Sequence, residues 1–371
     1  MKVAILHEML VKLGWAEKVV ETFLEIFPDA DLFTLIYDEK KVWKVFKKEK
    51  IHSQVFKLKS QKKYNLFKNQ RFCLPVMAES IEALDFSKYD LVLCSSSWFA
   101  HGAITKPETK FVVYYHSPSR YIWDYTFEYQ KSLKLNKFLK YFLQKLLSKI
   151  RIWDFIASRR VDIPIMASEN VAKRLKKYYK RNDYKILYPS VEIKKFVNSK
   201  DYEKKDYYIT IAALTEWKRL DILIKAFNKM PEKKLKIIWV WNYENEYKKL
   251  VKSKNIEFLW YKSWKELTKL LKQAKGFLFV SNDDFWIAPV EAMACATPVF
   301  WLAKWWLLET NKAWITWDFF MDENWSDFIE NFKKFEKNIN SWVYQKKNLI
   351  SQAQKFSKEN FKKELRKILT P

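Results

Sequence analysis

Apolar residues fall into short continuous runs separated by stretches of helical spacing, and the alternation repeats along most of the chain. Residues 2–7, 31–37, 90–95, 110–115 and 163–167 read as short apolar strands. Residues 16–27 have apolar positions at helical spacing and end at Pro28-Asp29, which predicts an amphipathic helix and its stop. A long basic helical stretch runs from about residue 127 to residue 160. Around 186–190 the pattern breaks, and a charged segment leads to a new strand at 207–212. Alternation then resumes, with strands at 235–240, 257–259, 276–280 and 298–301 and helices at 264–273 and 290–295. The tail, 357–369, reads as a helix with Ser357 as its N-cap. Repeated β-α-β units with right-handed crossovers imply a parallel sheet in each half. Ligands of such sheets sit at the C-terminal ends of the strands.

A length of 371 residues suits two domains, and 49% apolar content is enough for each to bury a core. The formal charge of +26 calls for an anionic partner or surface: nucleic acid, a membrane face or a phosphate-bearing substrate. Much of the excess is Lys on predicted helix faces, which a solvated surface explains equally well. Cys73, Cys94 and Cys295 are scattered, so reduced thiols and a cytoplasmic location are expected. His7, His52, His101 and His116 form no metal-ligand spacing, and no metal is expected. The chain opens MKVAILHEML directly as a strand, without a secretory pattern, and no apolar run reaches the roughly 18 residues of a membrane span. The expectation is a cytoplasmic protein, peripheral on the inner face of a membrane at most. Glycine changes this picture. There are 3 Gly and 18 Trp, whereas about 7% glycine would be ordinary. An α/β protein needs residues that accept positive φ or close backbone approach.

The sharpest segment is Ser281-Asn-Asp-Asp-Phe-Trp-Ile-Ala-Pro-Val-Glu-Ala-Met-Ala-Cys-Ala-Thr-Pro-Val299. Asp283 and Glu291 flank seven residues, after a strand and at the start of a helix whose first turn suits Pro289. Free amides at such a helix start favour a phosphate, and Glu291 is placed to accept hydrogen bonds from a ribose pair. The segment resembles the E-x7-E motif of retaining glycosyltransferases of family 4, commonly worded EDFGIAPVEAMACGTPV. That resemblance implies that Glu291 binds the nucleotide ribose and Asp283, an Asp in place of the usual Glu, contacts the donor sugar. Ala212-Ala-Leu-Thr-Glu-Trp-Lys-Arg-Leu-Asp221 resembles the family's S-x-L-V-P-Y-K-R-V-D stretch, so Lys218 and Arg219 would neutralise the donor diphosphate. Many members carry a further Arg where Ala213 stands. In the first half, His7-Glu-Met-Leu-Val-Lys-Leu-Gly-Trp-Ala-Glu-Lys18 resembles H-D-W-L-x-x-x-G-G-A-E-K, a loop beside the donor phosphates that here carries Gly14 and Trp15. Ser95-Ser-Ser-Trp-Phe-Ala-His-Gly102 resembles S-S-S-G-F-A-H-G, and Tyr114–Asp124 resembles Y-x-H-T-P-P-R-Y-L-W-D. His101 and His116 are thereby candidates for polar contacts to donor or acceptor hydroxyls.

The resemblance covers residues 1 to about 320 and the last helix. It implies a GT-B fold: two Rossmann-like domains facing across a cleft, at 1–187 and 188–352, with a C-terminal helix, 353–371, packing back on the first. Against the family pattern, Trp15, Trp98, Trp260, Trp286, Trp305, Trp306 and Trp317 fall on glycine positions, and Trp239, Trp241 and Trp314 extend the set. Trp123 and Trp153 fall where the family has tryptophan. Lys304-Trp305-Trp306-Leu-Leu-Glu309 resembles K-G-G-x-x-E, a loop close to the donor phosphates. An indole at Trp286, Trp305 or Trp306 would fill space meant for ligand, and a β-carbon would oppose positive φ there. The pattern fits a gene that uses UGA for glycine, translated as though UGA meant tryptophan. An aromatic-rich binding surface is the rival explanation, and it predicts tryptophans on exposed faces rather than at βα turns.

The family's reaction is transfer of a sugar from a nucleoside-diphosphate donor, with retention at the anomeric carbon. Lys218, Arg219 and the amides of Ile287 and Ala288 would stabilise the departing diphosphate without a metal. Asp29-Ala-Asp31 spells DxD but follows a helix and reads as a turn. A saccharide or lipid-linked acceptor is expected, and the A-L-x-x-x-K-R wording points to GDP-mannose as donor. Residues 131–160 pair helically spaced apolar positions with Lys and Arg, which suits an anionic lipid surface as well as a core-facing helix. A GT-B epimerase or phosphorylase is the alternative function. A nucleic-acid-binding protein is the remote one, since no known binding motif is present.

Overall fold

The structure is a computed structural model that describes residues 1–42, 45–46, 51–53, 74, 76–133, 135–213, 218–240, 244–281, 287–302, 317–341 and 343–370. The chain divides into two compact units, Met1–Tyr188 with Glu364–Pro371, and Pro189–Lys363.

In the first unit seven parallel strands are ordered β3-β2-β1-β4-β5-β6-β7. They are β1 (Val3–Leu10), β2 (Asp31–Tyr37), β3 (Ile51–Ser53), β4 (Leu91–Ser96), β5 (Lys110–Tyr115), β6 (Ile163–Met166) and β7 (Lys185–Ile186). Every residue of β4 is buried and all but one of β5, as expected for a parallel sheet covered on both faces by crossover helices. Helix α1 (Trp15–Ile26) follows β1, with Gly14 as its N-cap. The long basic stretch is two helices, α2 (Thr126–Ser132) and α3 (Lys137–Ser158). The break between them falls before Asn136, whose side chain accepts from Leu139 N at 2.9 Å and restarts the helix.

In the second unit six parallel strands are ordered β10-β9-β8-β11-β12-β13. These are β8 (Tyr208–Ala213), β9 (Leu235–Val240), β10 (Ile256–Leu259), β11 (Gly276–Phe279), β12 (Val299–Leu302) and β13 (Trp317–Phe320). Helix α4 (Leu220–Asn228) follows β8, α5 (Trp264–Gln273) follows β10 and α6 (Ile287–Ala294) follows β11. α7 (Trp325–Asn340) follows β13, and its Phe328, Phe332 and Phe335 are fully buried. Gly276 opens β11 because a β-carbon there would lie 2.8 Å from the Phe335 ring. The last helix, α8 (Lys358–Leu369), is capped by Ser357, whose Oγ accepts from Asn360 N at 3.2 Å. Its final residues are grouped with the first unit, where Lys110 Nζ donates to Leu369 O at 3.1 Å.

The fold class expected from the sequence, two parallel-sheet α/β domains, is the one observed. The expected strands are present: those at 31–37, 110–115 and 235–240 keep both ends, and the others are displaced by at most three residues. Strands β3, β7 and β13 went unforeseen. Each is an edge strand of two to four residues, too short to display a hydrophobic period.

Candidate active site

Both strand orders contain one place where the winding direction reverses: between β1 and β4 in the first sheet, and between β8 and β11 in the second. A crevice opens beyond the strand C-termini at such a point because the crossovers on either side leave in opposite directions. The described site candidates lie on segments that leave the sheets at these points or, for His116, one strand further on.

In the first unit, β1 brings His7 and Glu8 into the interior. Glu8 Oε1 accepts from Ser97 N and Trp98 N at 2.7 Å each, from Ser96 Oγ at 3.0 Å and from Ala100 N at 3.3 Å. One carboxylate thus gathers the donors of the turn after β4, which carries His101. His7 Nδ1 lies 3.0 Å from Ser95 O and 3.1 Å from Ser95 Oγ, and its Nε2 is 4.0 Å from Glu17 Oε1. Burial alone would depress the His7 pKa, but Glu17, Glu8 and the Ser95 carbonyl outweigh it and raise it. Burial likewise opposes ionisation of Glu17, yet His7 lowers its pKa. Each partner thus favours the charged form of the other, against the burial that both share. Gly14 N donates to Glu17 Oε2 at 2.8 Å, and a β-carbon on Gly14 would stand 2.9 Å from that same oxygen. Trp15, the first residue of α1, is exposed, with the Lys18 ammonium 4.4 Å above its ring.

His116 follows β5 and is half-buried; its Nε2 lies 2.8 Å from Ser95 Oγ. Desolvation and the charge on His7 hold its pKa well below the usual value, so it is neutral. His101 is 1% exposed. Its Nδ1 is 3.4 Å from Ser96 Oγ, and its Nε2 is 3.4 Å from both the backbone oxygen and Oδ1 of Asp154. Both ring nitrogens therefore face protein groups. Burial drives the two partners towards neutrality, His101 down to about 4 and Asp154 up to about 7. Trp123 Nε1 donates to Asp154 Oδ2 at 2.8 Å. Glu8, Glu17 and Asp154 escaped the sequence reading as functional groups. The signal available for Glu8 was an acid near the end of an apolar strand, where the H-D wording also has one.

In the second unit, β8 and β11 are hydrogen-bonded neighbours, with Tyr208 opposite Gly276 and Ile209 opposite Phe277. The segments that leave them bring Lys218 and Arg219 on one side and α6 on the other. Lys218 is buried. Arg219 N-caps α4 in the left-handed conformation, φ 52° and ψ 31°, a costly state for a residue with a β-carbon and one that clusters at functional sites. Its Nε donates to Asp221 Oδ1 and its Nη2 to Glu323 O, each at 3.1 Å, and its Nη1 pairs with the Glu323 carboxylate. α6 begins at Ile287, three residues earlier than the helical pattern indicated, so the Ile287 and Ala288 amides belong to the first turn and lack intrahelical acceptors. Glu291, one turn further in, is buried. Asp283, Trp286, Trp305 and Trp306 lie outside the described residues, as do Trp241, Trp314 and Cys73; Cys94 and Cys295 are free and buried.

Among the described residues no group of His, Cys, Asp and Glu could hold a metal ion. Asp31 of the DxD triplet starts β2 and is engaged by Tyr89 Oη at 2.6 Å and His52 Nε2 at 3.1 Å. A cavity of about 490 Å³ adjoins it, lined by Lys2, Asp29, Lys88 and Tyr89, at the N-terminal edge of the sheet, away from the strand ends described above.

Residues 191–356 match the family model described as Glycosyl transferases group 1. No curated protein matches the chain in sequence. In structure the chain is similar to sucrose-phosphate synthase from Thermosynechococcus elongatus, with a TM-score of 0.73 at 13% identity over 100% of this chain and 98% of that one. It is similar to Alr3699/HepE of Anabaena in complex with UDP-glucose, with a TM-score of 0.69 at 15% identity over 100% and 99% of the two chains. WaaG, a glycosyltransferase involved in lipopolysaccharide biosynthesis, gives 0.62 at 13% identity over 99% of each. Likeness at such identities speaks to the fold. Together, the group 1 domain and these neighbours support a glycosyltransferase of the GT-B fold.

Proposed function

We propose that this protein is a retaining, family 4-like glycosyltransferase that moves a sugar from a nucleoside diphosphate to a saccharide or lipid-linked acceptor. The carrying observation is the second sheet's reversal point, where Lys218 and Arg219 leave β8 beside the α6 start that leaves β11. The bond from the anomeric carbon to the diphosphate oxygen breaks and one to the acceptor oxygen forms. The acceptor's proton goes to the departing phosphate. Lys218, Arg219 and the Ile287 and Ala288 amides meet the charge that develops on the diphosphate, with no metal required. Glu291 holds the ribose and Asp283 the donor sugar. His116, neutral and half-buried, is suited to donate a hydrogen bond to a hydroxyl. His101 acts from inside, positioning the turn after β4.

Two donors compete. The K-R wording favours GDP-mannose, while solved structures of a similar fold bind UDP and UDP-glucose. A thermal-shift screen of GDP, UDP and ADP sugars, followed by assay of labelled sugar transfer, separates them. Donor binding without transfer or hydrolysis would turn the case towards an epimerase, and no stabilisation by any activated sugar would end it.

The proposal extends to the tryptophans at glycine positions, which we read as UGA codons meaning glycine. Trp123 and Trp153, which match family tryptophans, place their indole N–H groups on Asp154 and Glu82 at 2.8 Å. Trp15 and Trp260 stand at the turns that follow β1 and β10, where the glycine reading puts them; both are exposed, which the rival aromatic surface expects as well. Among the described residues only Lys180, Arg219 and Ala296 have positive φ. At Trp15, Trp98 and Trp260 the argument for glycine is therefore ligand space, not backbone strain. UGG codons at Trp286, Trp305 and Trp306 would reject it. With glycine at these positions, donor turnover should rise by about a hundred-fold or more.

A further inference from the structure

We propose that α3 is a docking surface for an anionic lipid bilayer. Its inner face is narrow, with Leu147, Ile150, Asp154, Ala157 and Ser158 buried at helical spacing. That accounts for one side of the helix. The opposite side is not the polar face that a helix on a protein surface normally presents to water. Phe138 is 68% exposed and Ile152 62%, and Tyr141, Phe142, Phe155 and Ile156 are exposed with them. Phe138 and Phe142 form one cluster, their ring centroids 4.7 Å apart. Phe127 on the preceding helix is 69% exposed. Large apolar side chains gathered on one exposed strip mark a surface that meets something else.

The charges say what it meets. Lys137, Lys140, Lys145 and Lys149 are exposed on α3, and its single acid, Asp154, is fully buried. The Lys145 ammonium sits 4.6 Å above the Tyr141 ring. At helical spacing Lys145 and Lys149 fall on the same exposed face as Phe138, Phe142 and Ile152, where long stems can lie among the apolar groups and carry their charge to the headgroups. Aromatic and aliphatic residues that enter the acyl boundary, with lysines at headgroup level, are the chemistry of an interfacial helix. A second copy of this chain is a poor occupant, because it carries the same lysines and the same net charge of +26. Among the described residues no helix is long and apolar enough to cross a membrane, so α3 would lie on the surface. The contact stands on α3 alone; that the acceptor is lipid-linked rests on the transferase reading.

The test is co-sedimentation of the full chain with vesicles of phosphatidylcholine, alone or with about one third phosphatidylglycerol. Binding should require the anionic lipid. K145E/K149E should weaken it about ten-fold or more, and F138S/F142S/I152S about as much, each with an unchanged melting temperature. Equal or absent binding to both vesicle types, or variants that bind like the parent, would overturn the proposal. So would light scattering that shows F138S/F142S/I152S splitting a dimer, or an acidic protein that competes with the vesicles at stoichiometric amounts. The donor thermal shift, run without lipid, reports separately on the transferase reading.

Discussion

Glu8 spends its charge inside the protein. A buried carboxylate is costly unless its oxygens are satisfied; here four donors converge on Oε1, and His7 Nδ1 stands 3.9 Å from Oε2. Glu8→Gln keeps an acceptor but not the charge that roughly doubles each hydrogen bond, so it should cost about 1–2 kcal/mol by urea unfolding. Glu8→Ala, which strands three backbone amides, should cost more than Glu8→Gln. Equal stability of all three proteins would show that water replaces the carboxylate. Ala296 presents the reverse case. It holds φ 55° just past α6, where Ala296 N donates to Met293 O and Thr297 N to Ala292 O, a Schellman cap. The family wording has glycine there, and here the backbone does demand it. Ala296→Gly should therefore stabilise by about 1 kcal/mol, and a loss of stability would mean that the alanine methyl packs better than the backbone suffers. Neither residue's burden was visible in the sequence. A motif gives a residue's type and position, but not who donates to it or which φ it must hold.

At the scale of elements, the long central strands were legible because each is a short, almost uninterrupted apolar run. The edge strands β3, β7 and β13 were not, because they are short and pairing on one side alone asks little of their side chains, whereas β10, also at an edge, kept enough of an apolar run to be read. Helix starts were legible where a capping side chain stands, as at Ser357; the residues just before Ile287 lie outside the described ones. The candidate site was legible in part. The positions of Lys218, Arg219 and Glu291 follow from where the strands end, but the ties of Arg219 to Asp221 and Glu323 join residues up to 104 apart in sequence. The sequence left α3 open between core and lipid because both require the same apolar spacing; the structure adds that its outer face carries exposed apolar side chains. Gly102 shows how tightly α3 is held on its inner side. A β-carbon there would lie 2.2 Å from the Trp153 ring, and Arg160 Nη1 donates to the Gly102 oxygen at 2.8 Å. Gly102→Ala should destabilise by about 1–3 kcal/mol, and a Trp153→Phe background should relieve part of that cost. Additive losses would show that the clash is taken up elsewhere.

For the whole molecule, acid should be more damaging than the net charge alone requires. The chain carries +26 at neutral pH, and each carboxylate that is protonated adds to its self-repulsion. Specific groups sharpen the effect. His101 and His116 are depressed by burial, so as pH falls below the ordinary histidine value of about 6.5 the unfolded chain binds two protons that the folded one refuses. Each withdraws stability until the pH reaches its depressed folded pKa. Asp154 works the other way. Its raised pKa lets the folded protein take up a proton from about 7 downwards, before the unfolded carboxyl does. His7, also raised, contributes stability that is complete below about 6.5 and is lost only as pH rises through its folded pKa, so it adds no slope on the acid side. Two protons against one leave a net deficit, and stability should fall by about 1.4 kcal/mol per pH unit between roughly 6.5 and 4.5. Urea midpoints at pH 7, 6 and 5 measure the slope, and moderate salt should remove the self-repulsion but not the histidine contribution. His116→Gln, which deletes one refused proton, should bring the slope close to zero in salt. A slope that stays steep in that variant would mean that protonation of other groups, not the buried histidines, sets the acid limit of this fold.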